Sequence, residues 1–210
     1  MEPLEESKLS FAFEGKAVQF DRTAFYRNHF SVNQSEGKGV DFIALSRHRI
    51  QLIEVKNCKG YEVDNRWRIG RDNGSREKLA PGQNESDRDS LDIETAKKVG
   101  STLACLYGAW TKKQQTDYAV ELAEIWERMI GPQIPACENR ITVILFLEGD
   151  FGSKTIPKSK LMKGLERSIK KKLSWLNCDV SVTDLEWYQK YTTGFEVKEI
   201  SDEATVKRRT

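Results

Sequence analysis

Two apolar segments near the start of the chain, VDFIAL and IQLIEV, are separated by the polar tetrapeptide SRHR. Short apolar runs with polar borders are typical of strands, so we expect strands at 40–46 and 50–56 that pair as a hairpin. A further strand is predicted at 16–21, before a short helix or turn. The continuous apolar run ITVILFLE at 141–148 is typical of a strand buried on both faces, and the alternating CDVSVTD predicts a strand at 178–184.

Three other segments have helical periodicity. A helix is predicted at about 90–110, with Asp87 and Ser90 as candidate N-caps. Its predicted apolar face, with spacings of three and four, consists of Ile93, Ala96, Gly100, Leu103 and Tyr107. A second helix is predicted at about 115–130, where Gly-Pro ends it, and a third, basic and amphipathic, at 158–176.

The order of these elements predicts the fold class. Two strands, a helical layer, and then a strand, a helix and a strand indicate an α/β fold with a central mixed β-sheet flanked by helices. We expect a single domain over residues 1–210, with a long polar insertion, interpreted as a loop, at about 57–90. The C-terminal residues from about 200 are expected to form a loose tail.

Composition narrows the protein class. With 38% hydrophobic and 31% charged residues, the chain has no run of about 18 apolar residues, and its acidic start lacks the pattern of a signal peptide. We therefore expect an intracellular, cytoplasmic protein with no membrane partner. The four cysteines, Cys58, Cys105, Cys137 and Cys178, are isolated from one another, which favours reduced thiols over a zinc site.

The distribution of positive charge suggests contacts with nucleic acid, although the net charge is only +2. The helix at 158–176 has seven basic residues and one acid, and the polar segment has several arginines near Trp67. An ordinary solvated helix face explains the helix equally well, and a plain flexible insertion explains the polar segment about as well. The candidate nucleic-acid-binding residues are Lys59, Arg66, Arg68, Lys97, Lys163, Arg167 and Lys170.

Charged residues inside the two hairpin strands are the strongest chemical signal. If Leu45 pairs with Ile50, stepping outward from the turn brings Asp41 opposite Glu54. Because side chains alternate along a strand, Lys56 then projects from the same face as both acids. A pairing shifted by one residue would send Asp41 to the other face. The hypothesis is therefore specific about register.

Two opposed carboxylates have Cβ atoms about 4.5–5.5 Å apart and repel each other. Mg²⁺ would neutralise them, because it prefers oxygen ligands and binds one or two carboxylates while keeping several waters. Bound beside a phosphodiester, such an ion polarises the phosphorus and activates a water, and Lys56 could orient that water or stabilise the developing charge. The alternative is a surface hairpin whose charges face water.

Asp41 followed by Glu54-Val55-Lys56 resembles the D…(D/E)xK signature of the PD-(D/E)xK nuclease superfamily, which includes restriction endonucleases and many repair and phage-defence nucleases. The resemblance implies a restriction-endonuclease-like core and a Mg²⁺- or Mn²⁺-dependent nuclease that hydrolyses nucleic acid, with DNA as the expected substrate. It also implies that Asp41, Glu54 and Lys56 are catalytic, and that Asp41, Glu54 and the Val55 carbonyl hold the metal.

Other features of the superfamily match less fully. Many members carry an acid on the first helix, for which Glu5, Glu6 and Glu14 are candidates, and one branch has a QxxxY pattern that residues 90–110 lack. Some members are catalytically inactive, so a nuclease-like nucleic-acid-binding or assembly subunit of a larger complex is the alternative function. Because many members pair to cut both strands, a homodimer or a larger complex is also possible.

Overall fold

The computed structural model describes most of the chain. The described residues are 2–34, 36–45, 49–75, 88–131, 141–191 and 194–200. Of the elements predicted from the sequence, the C-terminal tail lies outside these residues, as do Asp87 and Cys137. Cys58, Cys105 and Cys178 are buried free thiols, as expected.

The centre of the fold is a mixed five-stranded sheet. Its order is β3 (Ala17–Gln19), β4 (Phe42–Leu45), β5 (Ile50–Asn57), β6 (Ile141–Glu148) and β7 (Cys178–Thr183). β3, β4 and β5 pair antiparallel, whereas β5, β6 and β7 pair parallel. The α/β class and the mixed sheet flanked by helices are therefore confirmed.

The helices differ widely in length. They are α1 (Ser31–Asn33), α2 (Glu62–Asn65), α3 (Leu91–Lys112), α4 (Val120–Ile130), α5 (Lys158–Lys172) and α6 (Leu185–Tyr191). One face of the central sheet packs against α3, α4 and α5 through residues such as Leu52, Val99, Leu122 and Leu165. Among the described helices, none is long and apolar enough to cross a membrane.

A second sheet, which the sequence pattern did not predict, covers the other face. It is antiparallel and consists of β1 (Leu4–Glu6), β2 (Leu9–Phe13) and β8 (Phe195–Glu199). Phe11 is fully buried, with its ring centroid 5.0 Å from that of Phe42 and 5.5 Å from that of Phe146. The two terminal segments of the domain thus close the apolar face that the central sheet presents to them.

The segment predicted as a polar loop is partly helical, so that prediction is wrong in its first half. After α2 come two 3₁₀ turns, Arg66–Ile69 and Arg71–Asn73, which lie beside the start of α3. Asn73 accepts a hydrogen bond from the Ser90 N–H (2.6 Å) and donates one from its own N–H to Ser90 Oγ (3.0 Å). These bonds fix the segment against α3, and residues 76–87 lie outside the described part of the chain.

The predicted buried face of α3 is also wrong. Its buried residues are Leu91, Asp92, Thr95, Val99, Thr102, Cys105, Leu106 and Ala109, whereas Tyr107 is 51% exposed. Two of the polar residues on this face have partners there. Asp92 accepts from Ser90 and Ser168, and Thr102 Oγ1 accepts the Val40 N–H (3.0 Å) and donates to the Lys98 carbonyl (2.8 Å). The helix is therefore rotated relative to the sequence-based prediction, and Lys98 turns toward the sheet.

Candidate active site

The predicted register of the hairpin is confirmed. Leu45 lies opposite Ile50 and Phe42 opposite Ile53, so Asp41 lies one residue beyond the β4 ladder, next to Glu54. The Asp41 N–H donates to the Ile53 carbonyl (3.0 Å), and Asp41 Oδ2 accepts from the Val55 N–H (2.7 Å). Asp41 is thus bound to the strand that carries the other two residues of the signature.

Glu54 forms the centre of the charge cluster. Its side chain is 0% exposed, and Lys98 Nζ lies 2.7 Å and 2.8 Å from its two carboxylate oxygens. Lys56 Nζ lies 2.7 Å from Glu54 Oε1. The same Lys98 ammonium lies 3.9 Å from Asp41 Oδ1, so it bridges the two carboxylates.

Two further residues extend the cluster on the side of Lys56. Lys56 Nζ lies 2.9 Å from Glu94 Oε1, and Arg68 pairs with the other carboxylate oxygen of Glu94. Arg68 is buried, and its guanidinium also donates to the Asp89 carbonyl (3.4 Å). Acids and cations alternate along this cluster, which comprises Asp41, Lys98, Glu54, Lys56, Glu94 and Arg68.

The pKa values in the cluster reflect both burial and the charges of neighbouring residues. Burial and the neighbouring Glu54 raise the pKa of Asp41 to about 7, although Lys98 and the Val55 N–H oppose the shift. Burial alone would lower the pKa of Lys56, but Glu54 and Glu94 raise it above its ordinary value. Burial alone would likewise raise the pKa of Glu94, whereas Lys56 and Arg68 hold it below the usual range. The cationic neighbours of Asp41 therefore compensate it less than Lys56 and Arg68 compensate Glu94.

The cluster opens into a pocket of about 680 Å³. The cations that line it are Lys38, Lys56, Arg68, Arg88, Lys97 and Lys98. The acids that line it are Glu6, Glu36, Asp41, Asp89 and Glu94. The pocket is polar and carries nearly balanced charge, so its chemistry depends on the placement of individual groups.

The structure gathers some predicted site residues in this pocket and leaves others elsewhere. Asp41, Val55, Lys56, Arg68 and Lys97 line it, and Glu54 contacts Lys56 and Lys98 of the lining. The remaining nucleic-acid candidates, which do not line the pocket, are Lys59, Arg66, Lys163, Arg167 and Lys170.

These five residues have other surroundings. Lys59 pairs with Glu199 and Glu148, and Arg66 donates to the Gly152 carbonyl (3.4 Å). The three α5 residues are exposed on a helix that packs against α3 and β7. The basic face of α5 is therefore a surface distinct from the acid pair.

None of the three candidates for a first-helix acid lies on a helix. Glu5 and Glu6 belong to β1, and Glu14 follows β2. Of these, Glu6 lines the pocket. The carboxylate that joins the cluster from a helix is instead Glu94 of α3, which the sequence analysis did not consider.

Sequence reasoning also missed Lys98, which was not among the predicted site residues. Glu94 and Lys98 are one helical turn apart on α3. Glu94 contacts Lys56, and Lys98 contacts Glu54. Their i,i+4 spacing was the available signal in the sequence. The face of this helix was predicted from apolar residues alone, so the spacing of two charged residues was not considered.

One comparison identifies the family of this chain. A family described as "Family of unknown function (DUF6661)" matches residues 23–194. The chain belongs to the DUF6661 family. The matched range contains the whole charge cluster of this DUF6661 chain and excludes β1, β2, β3 and β8. No curated protein and no solved structure matches the chain.

The donor set of this DUF6661 chain suits a hard divalent cation. Mg²⁺ and Mn²⁺ favour oxygen donors, and Mg²⁺ needs only one or two carboxylates because water fills its other positions. Asp41 and Glu54 supply such oxygens, and a cation would favour the ionised form of Asp41, whose pKa is raised by burial and by Glu54. Among the described residues, no group of three or more His, Cys, Asp or Glu side chains is arranged to hold a metal. Any such ion would thus depend on these two carboxylates, the Val55 carbonyl and water.

Proposed function

We propose that this protein is a Mg²⁺-dependent nuclease of the PD-(D/E)xK type that hydrolyses phosphodiester bonds of DNA. The observation that carries the proposal is the placement of Asp41 beside Glu54 at the hairpin register, with Lys56 in the same cluster and facing a polar pocket. A hairpin with only solvated charges would not bury Glu54 completely. DNA repair and phage defence are the proposed settings.

The proposal assigns a role to each residue of the signature. Asp41, Glu54 and the Val55 carbonyl would hold the ion, which when bound supplies Lewis-acid polarisation of the phosphate and a more acidic water. Lys56 keeps its proton because its pKa is raised, so its ammonium can donate to a phosphate oxygen or orient the attacking water. Glu94 holds Lys56 in place, and Arg68 holds Glu94.

The pocket supplies further cations for the polymer backbone. Lys38, Arg88 and Lys97 line it outside the charge cluster, where they could contact phosphates on either side of the cleaved bond. Because nearby acids offset these charges, we expect modest affinity for nucleic acid, decreasing as salt rises.

A second candidate function is supported by the state of Glu54. Its carboxylate is fully buried and its two oxygens are paired with Lys98 and Lys56. A site neutralised in this way would also suit a nuclease-like subunit that binds nucleic acid or assembles with partners without cleaving.

Replacement of Lys56 by glutamine tests the nuclease proposal directly. We expect cleavage of labelled DNA in Mg²⁺ or Mn²⁺ to fall by about 10²–10³-fold, since a preorganised donor to the reacting phosphate is lost. The fold should persist because Glu54 retains Lys98 and Glu94 retains Arg68.

The matched control is Lys16→Gln, which removes an exposed lysine that pairs with Glu124 (3.1 Å) outside the pocket. This variant should cleave at the parent rate, and a chelator should stop both. Parent-like cleavage by Lys56→Gln would rule out the assigned role. A parent that binds DNA but cleaves neither DNA nor RNA would favour the second candidate.

A further inference from the structure

The side chain of Lys98 occupies the space between the two acids of the site. Its ammonium contacts both oxygens of Glu54, at 2.7 Å and 2.8 Å, and lies 3.9 Å from Asp41 Oδ1. A divalent cation shared by these two carboxylates would need the same region. Lys98 therefore already provides, with a single charge, the neutralisation that such an ion would provide with two.

The exposure of the site residues to the pocket also indicates that Lys98 and an ion would compete for Glu54. Asp41, Lys56 and Lys98 line the pocket and their side chains are 17%, 20% and 11% exposed, whereas Glu54 is 0% exposed and does not line it. A cation that enters from the pocket can reach Asp41 directly. It can reach Glu54 only if one of the two lysine ammonium groups withdraws.

Lys98 is the ammonium better able to withdraw. Lys56 has a second acidic partner at close range, Glu94 (2.9 Å), whereas the second acid beside Lys98, Asp41, lies 3.9 Å from its ammonium. Its flexible four-carbon stem also allows the ammonium to move while α3 stays in place. A displaced Lys98 would still face the pocket, where a substrate phosphate would offer it a new anionic partner.

We propose that Lys98 and a divalent cation exchange at this site. Without the ion, Lys98 holds Glu54 and Asp41 together; with the ion bound, Lys98 turns into the pocket and binds a phosphate of the nucleic acid. The inference rests on the proposed function, because it takes Asp41 and Glu54 as the ligands of the ion. It adds a positioning residue outside the D…ExK signature and a link between metal loading and substrate binding.

Competition from Lys98 should weaken the binding of the ion by a measurable factor. A site that is competent in only a tenth of the molecules binds its ligand about tenfold more weakly than a fully competent site. Removing the competing charge should therefore strengthen binding of the ion. Removing a cation that contributes to catalysis would weaken cleavage at the same time, so affinity and activity should change in opposite directions.

The experiment is calorimetric titration of Mn²⁺ into the parent, Lys98→Met and the control Lys97→Met. Lys97 is the adjacent lysine, 71% exposed, and it pairs with Asp89 (2.6 Å), so the control removes the same charge without opening Glu54. We expect Lys98→Met to bind Mn²⁺ about tenfold more tightly than the parent, and Lys97→Met to remain within about twofold. Equal or weaker binding by a folded Lys98→Met would overturn the exchange.

A second variant keeps the test decisive if Lys98→Met does not fold. Lys98→Arg retains the charge, and a guanidinium can pair with both oxygens of Glu54, so it should be harder to displace and should weaken Mn²⁺ binding. Unchanged or tighter binding by Lys98→Arg would refute the inference. If no folded variant binds Mn²⁺, the exchange is overturned, and the cleavage assay with Lys56→Gln then decides the proposed function separately.

Discussion

Asp41→Asn is expected to abolish cleavage while making the protein more stable at pH 8. Asparagine retains an oxygen that can accept the Val55 N–H but loses the charge that would bind the metal. Because a bound ion contributes several kcal/mol to stabilising the transition state, we expect the cleavage rate to fall by at least about a thousandfold.

The gain in stability follows from the raised pKa of Asp41. The folded carboxyl has a pKa of about 7, against an ordinary value of 3.8, so between these pH values the folded state binds a proton that the unfolded state has released. The stability from this proton is fully present below about pH 4 and is lost as the pH rises through about 7. Asparagine does not ionise, so its advantage over the parent should grow across this window to about 4 kcal/mol.

Urea denaturation of both proteins with a chelator, at pH 5 and pH 8, measures this effect. The difference in the free energy of unfolding should favour Asp41→Asn at pH 8 and should be clearly smaller at pH 5. A variant less stable than the parent at pH 8 would contradict the assignment of Asp41 as an electrostatically unfavourable, functional acid. Circular dichroism of both proteins would confirm that the fold is retained.

Asp92→Ala, unlike Asp41→Asn, should greatly decrease the stability of the protein. Asp92 is fully buried and accepts hydrogen bonds from Ser90 Oγ (2.6 Å), Ser168 Oγ (2.6 Å) and the Asp72 N–H (3.2 Å), while Lys172 Nζ lies at 2.9 Å. Alanine would leave all four donors without this acceptor. We expect the free energy of unfolding to fall by about 3–5 kcal/mol.

The pH dependence of this residue also has the opposite sign. Burial alone would raise the pKa of Asp92, but the hydrogen bonds from Ser168, Ser90 and Lys172 lower it to about 2. Its contribution is therefore present above about pH 4 and is lost as the pH falls toward 2. Asp92→Ala should remove that part of the acid sensitivity.

Denaturation at pH 7 and pH 3 would measure both parts of the prediction. Glu121→Ala, at an exposed position of α4, serves as the control and should change stability by less than about 0.5 kcal/mol. An Asp92→Ala variant as stable as the parent at pH 7 would show that the network is not structural. Because Asp92 does not line the pocket, a folded sample should bind Mn²⁺ as the parent does.

The hairpin shows what the local pattern of residues determines. Alternation places Asp41, Glu54 and Lys56 on one face, and a short connection between two apolar strands leaves a single register that also buries Phe42 and Ile53 on the other. The buried strand β6 is equally evident, because its apolar run needs a layer on each side.

The remainder of the charge cluster depends on packing between distant segments. Lys98 and Glu94 face the hairpin because α3 is rotated to bury Asp92 and Thr102, and partners such as Ser168 and the Val40 N–H satisfy these two groups. Nothing in the local sequence of a helix specifies that such partners exist. A pattern of apolar spacing therefore predicted the wrong face.

The terminal strands and the segment with Arg68 also depend on tertiary packing that the local sequence does not specify. β1, β2 and β8 are short and acquire stability only by pairing with one another over the apolar face of the central sheet. Arg68 is polar in sequence but buried in the fold, where Glu94 compensates its charge. By itself the sequence determined the α/β class and the arrangement of Asp41, Glu54 and Lys56, because strand alternation is local. Only the tertiary structure decided which helix face and which loop cations complete the site, because those depend on long-range burial and pairing.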